Sequence, residues 1–453
     1  MGGRSKERKG GTAPTAGATR RRYLALAGSS LAGLAAVACG GGPAPAPKPA
    51  SGPVTIDVLT YSGITNLTGR GQWYAKITPQ TFTPQTQITV NWIEGSNLPE
   101  KITTMSAAGA PPDAGVFVGT DGRALAAKSL YKPLDDLIKR DKFDKAVYWK
   151  SAIDQLTVNG KLYGLPNHGN FGENVAYVNM NMARRAALNI PLATGEWTVD
   201  QMIEGARKAT HPELGEWGWW PDTSAEGMKI FLRMFGGDLL SPDGRRCVID
   251  TNEGRAALQW VYDSQHKFQT IDDLTKAGGT RGDVGFLGGK LLFTQWTTGG
   301  AAEWKIPGRI SFDLGITLFP KSPTGQRVSA LITHGTAVTG TPKADAAWQW
   351  VQFITNRENG VLQVLGGAGS PGARPDVWED KRLADHDPIF GLSQRTYKDP
   401  APDFLTWNHT YGEIWTAASN RLKDLWSNKA GVNDTAAAIA REVNEILQRP
   451  VAG

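Results

Sequence analysis

The chain is 453 residues long, 20% charged and 40% hydrophobic, with a formal net charge of +6. The charge is lopsided: residues 1–38 hold seven of the 49 Lys and Arg but one of the 43 Asp and Glu, which leaves 42 of each sign beyond them. A body with no net positive field has no general attraction to nucleic acid or anionic lipid, so a nucleic-acid partner is excluded.

The basic N-terminus reads as a processing segment. Arg20-Arg21-Arg22-Tyr23-Leu24 leads into a charge-free stretch, Tyr23 to Ala38, that closes on Ala36-Val37-Ala38-Cys39-Gly40. At 16 residues the stretch is shorter than the roughly 20 a membrane span needs, and its glycines and serines weaken it as a helix. The arginines resemble a twin-arginine export signal, and the small residues before Cys39 resemble a lipoprotein box. That resemblance implies a signal peptide over residues 1–38, lipidation of Cys39, and attachment to the outer face of the cell membrane through the lipid alone. Residues 39–53 then form a Pro/Ala-rich tether, which favours extended polyproline II at about 3.1 Å per residue. Cys247 is the only other cysteine, so no internal disulfide is expected, and it reads as a small buried hydrophobe. The remaining body of about 400 residues exceeds what one core supports, which predicts two domains.

Along the body, Val54–Thr60 alternates and is rich in β-branched residues, as is Ile88–Ile93; both predict strands. Asn97 followed by Glu100, Ile102 and Met105 predicts a capped helix that stops at Gly109-Ala110-Pro111-Pro112. Ala114–Val118 predicts another short strand, and strands alternating with helices point to a parallel α/β sheet. Thr198 with Gln201 predicts a capping box. Ala347, Trp350, Val351 and Ile354, and later Ile439, Val443, Ile446 and Leu447 after Asn433, have the spacing of helical core stripes. A further helix is predicted over Glu413–Leu422.

Several short runs occur in a recognisable order. They are Met105 to Asp113, Leu130-Tyr131-Lys132-Pro133-Leu134-Asp135-Asp136, Gly160-Lys161-Leu162-Tyr163-Gly164-Leu165-Pro166, Tyr177-Val178-Asn179, Glu196-Trp197-Thr198, Gly289-Lys290-Leu291-Leu292-Phe293 and Trp350 to Thr355. In this order they resemble the family 1 extracellular solute-binding proteins, the maltose-type sugar-binding lipoproteins of ABC transporters, from about Val54 to the end. One stretch departs: Thr294 to Gly300 stands where the maltose type has an asparagine-glycine-proline-tryptophan turn. The resemblance implies an α/β, two-lobe periplasmic-binding-protein fold of type II whose hinge is crossed three times. The crossings are expected near Pro166–Val175, Val328–His334 and Gly369–Arg374. Lobe 1 would comprise 54–166 and 333–369, and lobe 2 would comprise 175–328 and 374–453. The implied function is the sugar-capturing component of an ABC importer, a monomer that delivers its ligand to the permease subunits by closing its hinge.

A sugar offers an apolar C–H face and a rim of hydroxyls, which aromatic rings and planar polar groups can match. The chain has 16 tryptophans. Candidate ligand contacts are Tyr61 and Ser62 after the first strand, and Asp121, which matches a sugar-contacting carboxylate of the maltose type or else serves as a helix cap. Asn167, His168 and Phe171 lie on the first crossing, His334 on the second and Arg374 on the third. Trp220 represents the cluster Trp217-Gly218-Trp219-Trp220, Trp296 is expected on an exposed loop, and Trp407 precedes the helix at Glu413. Trp260, Trp348 and Trp350 read as core.

No cofactor, metal or catalytic site is expected. The six histidines form no H-x-x-H or H-x-x-x-H pair, and Gly282–Lys290 lacks the spacing and the Ser/Thr of a phosphate-binding loop. Three alternatives stay open: the same fold binding a polyamine, a glycerol phosphate or a metal complex, a noncatalytic surface lipoprotein with no transport role, and a secreted carbohydrate-active enzyme.

Overall fold

The computed structural model describes residues 52–61, 70–171, 175–267, 282–323, 325, 327–328, 330–367, 369–396, 401–402 and 410–449. Its strands, in chain order, are β1 (Val54–Tyr61), β2 (Ile88–Gly95), β3 (Ala114–Val118), β4 (Thr157–Val158), β5 (Lys161–Leu162), β6 (Gly164–Phe171), β7 (Val175–Asn179), β8 (Trp217–Trp219), β9 (Leu291–Trp296), β10 (Leu314–Leu318), β11 (Ala330–Val338) and β12 (Ala401–Pro402). They form two main sheets. The first has the order β12-β11-β3-β1-β2, with β6 also paired to β11; the second has the order β10-β7-β9-β8. Strands β1, β2 and β3 are parallel, as their alternation with helices predicts, but β11 runs antiparallel to β3 and β6. The alternation governs β1 to β3, which helices join in succession; β11 follows β10 of the second sheet and is not joined to β3 by such a unit.

Local signals set the helices. Asn97 accepts the Glu100 N–H at 3.3 Å and opens the helix Leu98–Ala107, which ends before Gly109 in the left-handed region at φ 74°. Thr198 and Gln201 form the expected capping box ahead of Val199–Lys208. The last helix, Val432–Leu447, begins one residue before Asn433, with Gly431 at its cap.

The recurring runs hold strands and connections together. The buried Asp113 carboxylate accepts the Asp57 N–H at 2.8 Å and the Thr341 hydroxyl, and Lys343 lies 3.4 Å away. Leu134 N–H donates to the Leu162 carbonyl at 2.7 Å, while Asp135 accepts Leu162 N–H at 3.1 Å. The Trp197 indole donates to the Leu318 carbonyl at 2.8 Å, and Lys321 N–H to the Trp197 carbonyl at 2.9 Å.

One core packs under the first sheet and takes in Trp348 and Trp350; another packs under the second and takes in Trp219 and Cys247, with Trp260 only partly buried against it. Burial pushes the Cys247 thiol up to about 12, which keeps it an inert thiol at neutral pH. A third core joins Trp149 and Ala152 to Val175, Tyr177 and Trp304, and to residues between Val361 and Phe390. Strand β12 returns late in the chain. It pairs in parallel with Ala330 and Leu331, so residues 401–402 sit in the first sheet.

Candidate functional site

Register places the candidate residues. In the first sheet His334 lies opposite Val118 on one side and His168 on the other. Strand β1, parallel to β3 with Leu59 beside Gly115, ends at Tyr61 on that same edge. Tyr61, His168 and His334 therefore share the edge at the carboxyl ends of the parallel strands, with Asp121 just beyond β3; ligands meet α/β sheets at such an edge.

Asn167 sits at a bulge in β6, because Pro166 faces Gly335 and His168 faces His334, leaving Asn167 without an opposite residue. Its side chain is buried and donates to the Thr336 hydroxyl at 2.8 Å. Its carbonyl accepts from the Tyr74 hydroxyl at 3.4 Å; that hydroxyl lies 3.3 Å from Gln363 Oε1, and Gln363 in turn donates to the Ser370 carbonyl at 2.8 Å. Asn167 thus ties the first expected crossing to β11 and to residues 363–370.

On the second sheet, Trp296 ends β9 opposite Val175, the first residue of β7. Trp219 pairs with Phe293, so Trp220, just past β8, belongs to the same edge. Trp217 and Trp219 are buried, which leaves Trp220 as the half-exposed ring of its cluster. Trp296 is not on an exposed loop, as its glycines and threonines suggest. It is the half-buried last residue of a strand, because the apolar run from Leu291 keeps pairing as far as Val175 and the turn comes only afterwards. Phe171 and Val175 are four Cα steps apart, a span of at most about 14 Å. The edge carrying His334 and the edge carrying Trp296 are therefore adjacent where the chain crosses.

The first edge also has a defined electrostatic character. Asp121 lies in the first turn of the helix Gly119–Ala127, exposed, and pairs with no cation among the described residues. Partial burial of its carboxyl raises its pKa above the ordinary value of 3.8. The Tyr61 hydroxyl is raised by burial and then by the Asp121 charge, so at neutral pH it stays a proton donor. Behind them Tyr131, 2% exposed, donates to the Val116 carbonyl at 3.0 Å.

Arg374 precedes the helix Pro375–Trp378, and its fork is already engaged by Asp376 at 3.0 and 2.7 Å. Its guanidinium lies 5.6 Å from the Tyr148 ring centroid. Ser62, Trp407 and Cys39 fall outside the described residues; His168 and Phe171 are placed by strand register alone. Sequence reasoning missed Tyr131 and Trp304, which stand behind the two edges; Tyr131 lies within a family run but looks like any core aromatic there. Among the described residues no three of His, Cys, Asp and Glu converge as metal ligands, and no described helix is long and apolar enough to cross a membrane.

Two α/β lobes joined by a hinge that the chain crosses three times define a type II periplasmic-binding-protein fold, and solved structures share it. An ABC substrate-binding protein from Listeria monocytogenes, in complex with cycloalternan, superposes with a TM-score of 0.70 at 17% identity, over 87% of this chain and 98% of its own. Maltose-bound MalE3 of T. maritima gives 0.71 at 19%, over 86% and 99%. The cyclic alpha-maltosyl-1,6-maltose binding protein from Arthrobacter globiformis gives 0.69 at 18%, over 88% and 100%. The chain belongs to the bacterial extracellular solute-binding protein family, whose match covers residues 79–390. The family consists of extracellular binding proteins, which places the chain outside the cytoplasm.

Proposed function

We propose that this protein captures a saccharide between the two sheet edges and hands it to the permease of an ABC importer when its hinge closes. The observation that carries this reading is the pairing of unlike edges across the 171-to-175 crossing. The second sheet offers Trp296 and Trp220, while the first offers the Tyr61 hydroxyl as donor, the Asp121 carboxylate as acceptor, and His334. Aromatic faces cover the apolar side of a sugar ring and planar polar groups satisfy its hydroxyls. The maltose and cyclic oligosaccharides in the related structures agree with that chemistry. Closure is a population shift, so the ligand must bind the closed form better than the open one.

In this reading lobe 1 is built on 54–166 and 333–369 and lobe 2 on 175–328 and 374–453. A twin-arginine signal over 1–38 exports the folded chain, Cys39 carries the lipid, and the mature protein works as a tethered monomer that binds and does not transform its ligand. A polyamine reading would want several acids around the ligand; among the described residues of the first edge, Asp121 is the acid that acts on the Tyr61 hydroxyl.

Asp121 supplies the test. Sugar hydroxyls donate to the ionised carboxylate, so affinity is complete above the free-state pKa and falls as pH drops through it. Because that pKa is raised, the fall begins at higher pH than an ordinary aspartate would give. Ionisation in a partly dry site also costs folding stability, so Asp121→Asn is expected to melt no lower than wild type at pH 7 while binding several-fold more weakly and without the acid fall. Titration calorimetry from pH 4 to pH 8 reads this, and an unchanged profile in Asp121→Asn would remove the carboxylate from the site.

A further inference from the structure

Behind Trp296 stands a second tryptophan that the binding reading does not use. The Trp296 and Trp304 rings stack with centroids 6.0 Å apart and planes at 27°. Trp304 is 3% exposed and is braced by Tyr177 at 4.4 Å and Phe286 at 5.7 Å. Gly300 closes the adjoining approach. A Cβ there would lie 3.1 Å from Cδ1 of Trp296 and 2.8 Å from the Tyr177 hydroxyl, so the glycine is what lets these rings come together. The Tyr177 hydroxyl donates to the Thr297 carbonyl at 2.7 Å and so holds the turn directly after Trp296.

A large ring on the last residue of a strand has several rotamers open to it once pairing ends. A ligand that met it in that state would have to order it, at the expense of affinity. We propose that Trp304 is the positioning residue for Trp296: it fixes the plane of the Trp296 ring before ligand arrives, with Gly300 and Tyr177 holding the stack closed. The replacement of the maltose-type turn by Thr294 to Gly300 then has a physical meaning, since it provides the Gly300 against which the two aromatics pack. This inference rests on the reading of Trp296 as a ligand platform, and the experiment separates the two.

The full chain is labelled with 5-fluorotryptophan, and fluorine spectra are recorded for wild type, Trp304→Leu and Trp304→Phe. The Trp296 line is assigned by its loss in Trp296→Phe. The expected result, without ligand, is that Trp304→Leu shifts and narrows the Trp296 line, that Trp304→Phe restores most of its position, and that the line of Trp348 in the first core does not move. Affinity for maltotriose as probe is then expected to fall about fivefold in Trp304→Leu and less in Trp304→Phe. An unmoved Trp296 line in Trp304→Leu, or equal effects of Leu and Phe, would overturn the positioning role. If Trp304→Leu fails to fold, Gly300→Ala decides the matter by the same line, which must shift as the new methyl presses on the ring. Separately, a wild-type Trp296 line that stays put under saturating maltotriose would count against Trp296 as a maltotriose platform while leaving the Trp304 stack as measured.

Discussion

Replacing Trp296 with alanine is expected to weaken saccharide binding at least tenfold while leaving a folded protein. A sugar stacked on the indole removes about 100 Å² of apolar face from water, and at roughly 25 cal/mol per Å² that is about 2.5 kcal/mol. Each 1.4 kcal/mol is about a tenfold change in affinity, so the expected loss lies between about ten- and sixtyfold. The fold survives because Trp296 ends its strand half-buried, outside the two sheet cores. What the substitution forfeits within the protein is mainly the stack on Trp304, of the order of 1 kcal/mol. Titration calorimetry beside a thermal melt separates the two effects, and unchanged affinity in a folded variant would remove Trp296 from the site.

The largest stability effect is expected at Trp350. It is 2% exposed, donates its indole N–H to the Thr78 hydroxyl at 3.1 Å, and meets Tyr74 and Trp92 edge-on at 6.4 and 5.6 Å. Truncating a buried tryptophan to alanine costs about 3–5 kcal/mol, because the cavity adds to the lost transfer energy. The cavity would open beside Tyr74, whose hydroxyl reaches the Asn167 carbonyl at the β6 bulge, so Trp350→Ala should also loosen the first edge. Chemical denaturation reads the first effect. A loss below 1 kcal/mol would mean that the first core repacks around the gap.

Much of the fold was legible in the residues. The β-branched alternation of β1 and β2, the Asn97 cap, the Thr198–Gln201 box and the stripe around Trp350 are local signals, and each element formed where its chemistry placed it. The direction of β11 and the return of β12 to the first sheet were not legible, because both depend on which strand edge is free when a distant segment arrives. The site was legible as a list of residues but not as an arrangement. Glycines and threonines around Trp296 imitate a loop, whereas the pairing that extends its strand is made with Val175, far away in sequence. Asn167 has the look of a ligand contact on a crossing, yet a bulge turns its amide to Thr336. Arg374 is free in sequence and engaged in structure, its partner only two residues on.

Saccharide capture is decided by a thermal-shift screen of the chain from Gly40 onward against mono- and oligosaccharides, polyamines and glycerol phosphates. A ligand at a hundredfold its Kd adds about 2.7 kcal/mol, a rise of a few degrees at this size. The expected result is a shift with one saccharide series and no turnover of that saccharide on long incubation. A shift from a polyamine or a glycerol phosphate with silence from every saccharide would contradict the ligand, and turnover of the saccharide would contradict the binding function itself.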